Sequence, residues 1–226
     1  MKNIFEKFGY NLSEKQLSQF NFYYEILTEY NEKFNITAIT DKEGVYVKHF
    51  SDSLLGSSLI KGKTLIDIGS GGGFPAVPLK ILIPELEVTL VEATGKKCTF
   101  LTEVVKELKL SEVTVLNERA EELGKKDKYR EKFDNASARA VAKLNVLSEL
   151  CLPFLRIGGR FIAYKANAEE EIENSKTAIE LLGGKTGNIL TFDLLGENRC
   201  IIEILKVKKT PEIYPRNNNK IMKKPL

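Results

Sequence analysis

Asp67-Ile68-Gly69-Ser70-Gly71-Gly72-Gly73-Phe74 decides the fold of this 226-residue chain. The apolar residues 65–68 just before it read as a buried strand. Val77, Leu79, Ile81 and Leu82 after it read as the inner face of a helix. Glycines at 69, 71, 72 and 73 let the backbone turn sharply and meet a ligand with no Cβ in the way. Strand, glycine turn and helix start make a nucleotide-binding corner. A dinucleotide fingerprint needs G-x-G-x-x-G. Gly69 and Gly71 fit it, but Phe74 stands at the third glycine. The spacing therefore points away from a nicotinamide dinucleotide and toward another adenosine ligand. A valine at Gly71 is expected to block that ligand.

From Thr64 onward, strand and helix patterns alternate. Strands are predicted over residues 65–68, 88–92, 113–116, 133–136, 160–165, 189–192 and 200–207. Helices are predicted over 75–83, 96–109, 141–152 and 169–182. Such alternation implies a parallel sheet covered on both faces. The last two strands are joined by Leu195-Gly196-Glu197-Asn198, too short for a crossover helix, so that pair should be antiparallel. Residues 1–60 read as a helical extension. Ser13-x-x-Gln16 fits a capping box, and Leu17, Phe20, Tyr23, Tyr24, Leu27 and Tyr30 share one helical face read as core packing. Shorter helices are expected over 41–49 and 51–60.

Composition narrows the function. Cys98, Cys151 and Cys200 are widely spaced, and His49 is the only histidine, so neither disulfides nor a metal site is expected. His49 reads as a structural or surface hydrogen-bonding residue. The N-terminus is charged where a signal peptide would be apolar, so a cytoplasmic protein without membrane contact is expected. The net charge is +3, but residues 206–226 carry seven basic residues and one acid. That tail suits contact with nucleic-acid phosphate. Two imitations of a phosphate loop, residues 56–64 and 184–186, have the wrong spacing and read as structural.

Candidate site residues gather at predicted strand ends. Glu92 ends the second strand, 23 residues after Gly69, where an acid accepts from ribose hydroxyls. Ala120 and Glu121 follow the third strand and suit an adenine edge. Arg139 follows the fourth, where its fork suits a carboxylate or phosphate. Lys165 ends the fifth.

In this order, the motifs resemble the S-adenosylmethionine-dependent methyltransferases. More closely, they resemble the small-subunit (16S) ribosomal RNA guanine-N7 methyltransferase family, also called glucose-inhibited division protein B. The resemblance rests on Phe34-Asn35-Ile36-Thr37-Ala38-Ile39, His49-Phe50-Ser51-Asp52-Ser53-Leu54, the glycine run, Arg119-Ala120-Glu121, Ala138-Arg139-Ala140-Val141-Ala142 and Tyr214-Pro215-Arg216. It implies a Rossmann-like α/β core over residues 61–207, with a mostly parallel seven-stranded sheet whose last strand is antiparallel. A helical extension precedes the core, and a basic tail over 208–226 packs on or near it. It implies S-adenosylmethionine as cofactor and S-adenosylhomocysteine as product. The partner implied is 16S ribosomal RNA or the small subunit, methylated at guanine-527 by a monomer.

Cofactor contacts carry over to Gly69, Gly71, Phe74, Ala120, Glu121 and Arg139, with Glu92 added from its strand-end position. Arg139 is the expected catalytic residue, and Lys165, Arg216, Lys223 and Lys224 are expected on RNA. Ala76, and Asn135 in the fourth strand, depart from the family pattern. Guanine N7 has a free lone pair, so in-line attack needs no general base. Exocyclic-amine methylation would want Asn/Asp-Pro-Pro-aromatic after the fourth strand, where Asp134-Asn135-Ala136-Ser137 is read instead. The alternatives are a methyltransferase for small molecules or proteins, and a noncatalytic RNA-binding module.

Overall fold

The computed structural model describes residues 2–139, 142–166, 168–194 and 196–226. Ala140 and Val141 of the resemblance motif, and Leu195 of the last interstrand link, lie outside them. Seven strands form one sheet: β1 (Thr64–Ile68), β2 (Glu87–Glu92), β3 (Val113–Asn117), β4 (Phe133–Arg139), β5 (Leu155–Lys165), β6 (Gly184–Leu194) and β7 (Glu197–Lys206). Their order is β3-β2-β1-β4-β5-β7-β6. The β1–β5 pairings are parallel, and β7 is antiparallel to both β5 and β6. As expected, only the last strand runs against the others. It inserts between β5 and β6, so the sheet edge is β6.

Central β1 is buried on both faces, as a parallel strand under two helical layers must be. Its neighbours in sequence face opposite ways, and so belong to two cores. Leu65 packs with Phe20, Tyr23, Phe50, Leu79 and Phe100. Ile66 and Ile68 pack with Leu147, Phe154, Phe161 and Ile204. The first core joins α1 (Lys2–Lys7) and α2 (Glu14–Phe34) to α5 (Ala76–Leu82) and α6 (Gly95–Glu107). The N-terminal helices therefore share their core with the sheet. The capping box at Ser13 and Gln16 is formed, and Phe20, Tyr23 and Leu27 are the buried part of the aromatic face.

Several predicted boundaries shift: β5 begins at Leu155 instead of residue 160, and β6 spans Gly184–Leu194 instead of 189–192. The fourth strand was expected over residues 133–136, yet it carries the polar residues Asp134, Asn135 and Ser137 and runs further. Each is satisfied within the sheet. The Asp134 carboxylate accepts from the Lys63 and Thr64 amides at 2.8 and 3.0 Å. Buried Asn135 donates to the Lys61 and Thr64 carbonyls at 2.6 and 2.9 Å. The Ser137 hydroxyl donates to Asp67 at 2.6 Å. These contacts offset the cost of burying polar groups, and β4 runs on to Arg139. The motif comparison after the fourth strand is thereby corrected: Asp134–Ser137 lies inside the strand, not beyond it. Residues 169–182 break into α9 (Glu169–Glu173) and α10 (Lys176–Leu181). Residues 41–60 form α3 (Lys42–Gly44), a π-helical segment Val45–Ser51, α4 (Asp52–Leu54) and a 3₁₀ turn at Ser57–Leu59.

The two imitation phosphate loops are structural: Gly62 abuts Asp134, and Gly184 opens β6. The remaining helices are α7 (Ala120–Leu123), α8 (Leu144–Cys151) and α11 (Asn218–Lys223). No described helix is long and apolar enough to cross a membrane.

Candidate functional site

The glycine turn sits at the C-terminal end of β1, and the adjoining β2 fixes it. The Gly69 and Ser70 amides donate to the Val91 carbonyl at 2.9 and 3.1 Å. From α2, the Tyr23 hydroxyl donates to the Gly72 carbonyl. Gly69, Gly71 and Gly73 all have positive φ, where residues with a Cβ are strained. Phe74, joined to Pro75 by a cis peptide, turns its ring back under the loop. The ring stacks on His49 (centroids 4.5 Å apart, planes at 18°) and on Tyr23 (5.5 Å, 24°).

This turn borders a cavity of about 640 Å³. Gly69, Gly71, Phe74, Glu92, Ala120, Glu121 and Arg139, the seven expected cofactor contacts, all line it. Ala120 and Glu121 begin α7, and both are buried. Glu92 has a second duty that the sequence did not indicate. Its carboxylate accepts from the Gly71 amide at 3.0 Å and the Thr94 amide at 2.8 Å. A strand-end acid thus holds the glycine turn while facing the same cavity.

Arg139 closes the other side. Its guanidinium lies 4.9 Å over the Phe74 ring and pairs with buried Asp52 at 2.7 Å. It also donates to His49 Nδ1 at 3.1 Å. His49 is hydrogen-bonded as expected, and it also lines the cavity, fixed from three sides. Arg139 can only donate, so Nδ1 is the accepting nitrogen. Nε2 then carries the proton and donates to Thr37 Oγ1 at 2.6 Å. Burial, aided by the Arg139 charge, pushes the His49 pKa down to about 3. The imidazole is neutral, and its one lone pair is already engaged. Its place at the cavity was not legible in the sequence, because the π-helical winding that aims it at Phe74 leaves no pattern in residue type.

A second cavity, about 420 Å³, opens behind this pair. Lys48, Asp52, Tyr164 and Arg199 line it together with His49 and Arg139. Arg139 and His49 thus border both spaces.

Behind the glycine turn, Asp67 is fully buried. One carboxylate oxygen accepts from Ser137, and the other has no partner. Burial raises its pKa to about 7, against the partly opposing Ser137 hydrogen bond. With an unfolded value near 3.9, the unfolded chain releases this proton first as pH rises. Asp67 therefore costs stability progressively from about pH 4 to about pH 7. Asp67→Asn should gain on the wild type by ~1.4 kcal/mol per pH unit over that window, then hold a constant lead. Urea titrations at several pH values measure it. His49 acts oppositely: its stabilisation is lost as pH falls from about 6.5 toward about 3.

Two residues expected on RNA are already paired within the protein. The Lys165 ammonium is turned inward, bonded to the Ala142 carbonyl and to Glu171 at 3.0 Å. Arg216 makes a two-pronged pair with buried Glu149, at 2.9 and 2.6 Å. Each charge thus has a partner in the protein, and Lys165 also lines the smaller cavity beside Arg139. Arg216→Ala would leave the Glu149 carboxylate uncompensated, so unfolding should become easier by about 3–5 kcal/mol. A pure phosphate contact would instead lower RNA affinity and leave the urea midpoint unchanged. Lys223 and Lys224 are exposed.

The family model of GidB, rRNA small subunit methyltransferase G, matches residues 16–199. The chain belongs to this family. It is 48% identical to ribosomal RNA small subunit methyltransferase G of Acetivibrio thermocellus, covering 97% of this chain and 92% of that one. It is equally identical to the protein of that name from Bacillus cereus strain B4264, covering 100% and 97%. Among solved structures, M. jannaschii TYW2 in complex with AdoMet shares the fold: TM-score 0.58, 16% identity, 75% and 80% coverage. So does a ribosomal protein L11 methylase from Lactobacillus delbrueckii: TM-score 0.55, 16% identity, 71% and 79% coverage. The sheet and these likenesses make the fold that of Rossmann-like methyltransferases.

Proposed function

We propose that the chain transfers the methyl group of S-adenosylmethionine to N7 of one guanine in 16S ribosomal RNA, acting as a cytoplasmic monomer. By family resemblance that base is guanine-527. Family membership supports the RNA substrate and the class of reaction. The observation carrying the site assignment is the Arg139–His49 pair, which borders both cavities. A ligand in the larger space and a base in the smaller would meet beside these two residues.

The residues present fit the cofactor. At Gly71 an added Cβ would meet nothing nearer than the Gly69 carbonyl oxygen at 3.8 Å, so the turn leaves a cradle that only a side chain or a ligand would fill. Gly69, Gly71 and Phe74 would hold the methionine end, Glu92 the ribose, and Ala120 and Glu121 the adenine. When bound, S-adenosylmethionine supplies a sulfonium-activated methyl.

The protein's part is positioning. Arg139 is held by Asp52, His49 and the Phe74 ring, so it presents its charge in one place. A base within roughly 3–3.5 Å of the methyl, with orbitals aligned, gains most of the available acceleration. His49 has no free lone pair, so it cannot take a proton from the base. That supports attack by guanine N7, which needs no base, over attack by an exocyclic amine.

Methyl transfer to naked 16S RNA and to the small subunit, followed by chemical cleavage at N7-methylguanosine, tests this. A single cleavage at guanine-527 is expected. Methylation at another atom, or none on either substrate, would overturn the reading.

A further inference from the structure

The C-terminal helix α11 reaches the larger cavity. Asn218 and Met222, four residues apart and so on one helical face, line it beside Val146 and Leu150 of α8. Between them in sequence, Ile221 is fully buried in the core. Lys220, Lys223 and Lys224 are exposed. The helix is tied down at both ends. Arg216 before it holds Glu149 of α8 and reaches the Lys224 carbonyl at 3.1 Å. The Asn145 amide donates to the Leu226 carbonyl at 3.0 Å. Met222 remains 56% exposed at the rim of the cavity, an unbranched thioether able to adapt to an aromatic ring.

We propose that α11 is a working wall of the cofactor site, and that it joins that site to the RNA-binding surface. Asn218 and Met222 cover the bound ligand next to α8, and Lys220 and Lys223 of the same helix, with Lys224 at its C-terminal cap, meet RNA phosphate. A helix touched by two ligands links them: the pose that suits one favours the other, so cofactor occupancy and RNA affinity rise together, by equal factors in both directions. This inference rests on the reading that S-adenosylmethionine fills the larger cavity.

The test is calorimetry with S-adenosylhomocysteine on the full chain, paired with binding of a 16S transcript at several salt concentrations. Asn218→Ala/Met222→Ala should weaken S-adenosylhomocysteine by about tenfold, because about 1.4 kcal/mol is a modest share of one covered side chain. Its unliganded thermal midpoint should match the wild type. Lys220→Ala/Lys223→Ala/Lys224→Ala should keep S-adenosylhomocysteine affinity and flatten the RNA salt slope by about two. Wild-type RNA affinity should rise several-fold with S-adenosylhomocysteine, and that rise should vanish in the Asn218/Met222 variant. A wild type that binds no S-adenosylhomocysteine sinks the cofactor reading itself. A wild type that binds it, with the double variant within twofold, overturns this inference alone. Equal wild-type RNA affinity with and without S-adenosylhomocysteine overturns the coupling.

Discussion

Arg139→Ala is expected to lower methyl transfer by a factor on the order of 10²–10³, the usual cost of removing a preorganised charged donor. It should also weaken the fold. Arg139 is 12% exposed, and its partner Asp52 only 5%. Removing the guanidinium strands a buried carboxylate whose other oxygen already lacks a hydrogen bond. The penalty for breaking such a pair is typically about 3–5 kcal/mol. Here the low end applies, because Arg199 remains 3.5 Å from Asp52.

The two effects separate in a second variant. Arg139→Gln/Asp52→Asn removes both charges and keeps hydrogen-bonding groups in place. Urea unfolding should then return most of the stability, while methyl transfer stays low. Activity that returns together with stability would assign Arg139 a purely structural role. From the sequence, Arg139 was expected as a catalytic residue alone. The Asp52 contact, 87 residues away in the chain, changes that expectation.

The parts of the molecule legible in the sequence share one property: local pattern determines them. The β1–glycine–α5 corner, the succession of strands along the chain and the antiparallel β7 follow from apolar period and link length. The polar half of β4 does not. Asn135 looks like a strand breaker until its partners, the Lys61 and Thr64 backbone, are known to lie beside it. The same holds for charge. Seven basic residues in the tail read as one phosphate-facing patch. Yet the Lys206 ammonium is buried against the Leu152 and Leu182 carbonyls, and Arg216 is locked to Glu149. Burial pushes the Lys206 pKa down to about 8. Composition counts charges and cannot say which of them face water. The seven expected cofactor contacts lie around one cavity because strand-end position is a sequence-level quantity in a parallel sheet. His49, Asn218 and Met222 reach that cavity from outside the β/α alternation, where no such rule operates.

Two glycines only two residues apart should respond in opposite ways to the same substitution. Gly71 has φ +55°, and an added Cβ there enters open space. Gly71→Val should therefore cost only the backbone strain, about 1–2 kcal/mol for a β-branched residue in the left-handed region. Its isopropyl group would occupy the cradle, so S-adenosylhomocysteine affinity should fall at least about 100-fold, as steric exclusion from a close backbone approach demands. Gly73 has φ +86°, and its Cβ would lie 2.5 Å from the Tyr23 hydroxyl and 2.8 Å from a Val77 methyl. Both neighbours are buried, and Tyr23 is stacked between Phe50 and Phe74. Neither can move without disturbing the aromatic core that joins the N-terminal helices to the sheet. To the strain, Gly73→Val adds overpacking at about 1–3 kcal/mol, and should lower the urea midpoint far more than Gly71→Val does. Calorimetry and urea unfolding on both proteins give a two-by-two outcome. Tight ligand binding by Gly71→Val would remove the glycine turn from the cofactor site.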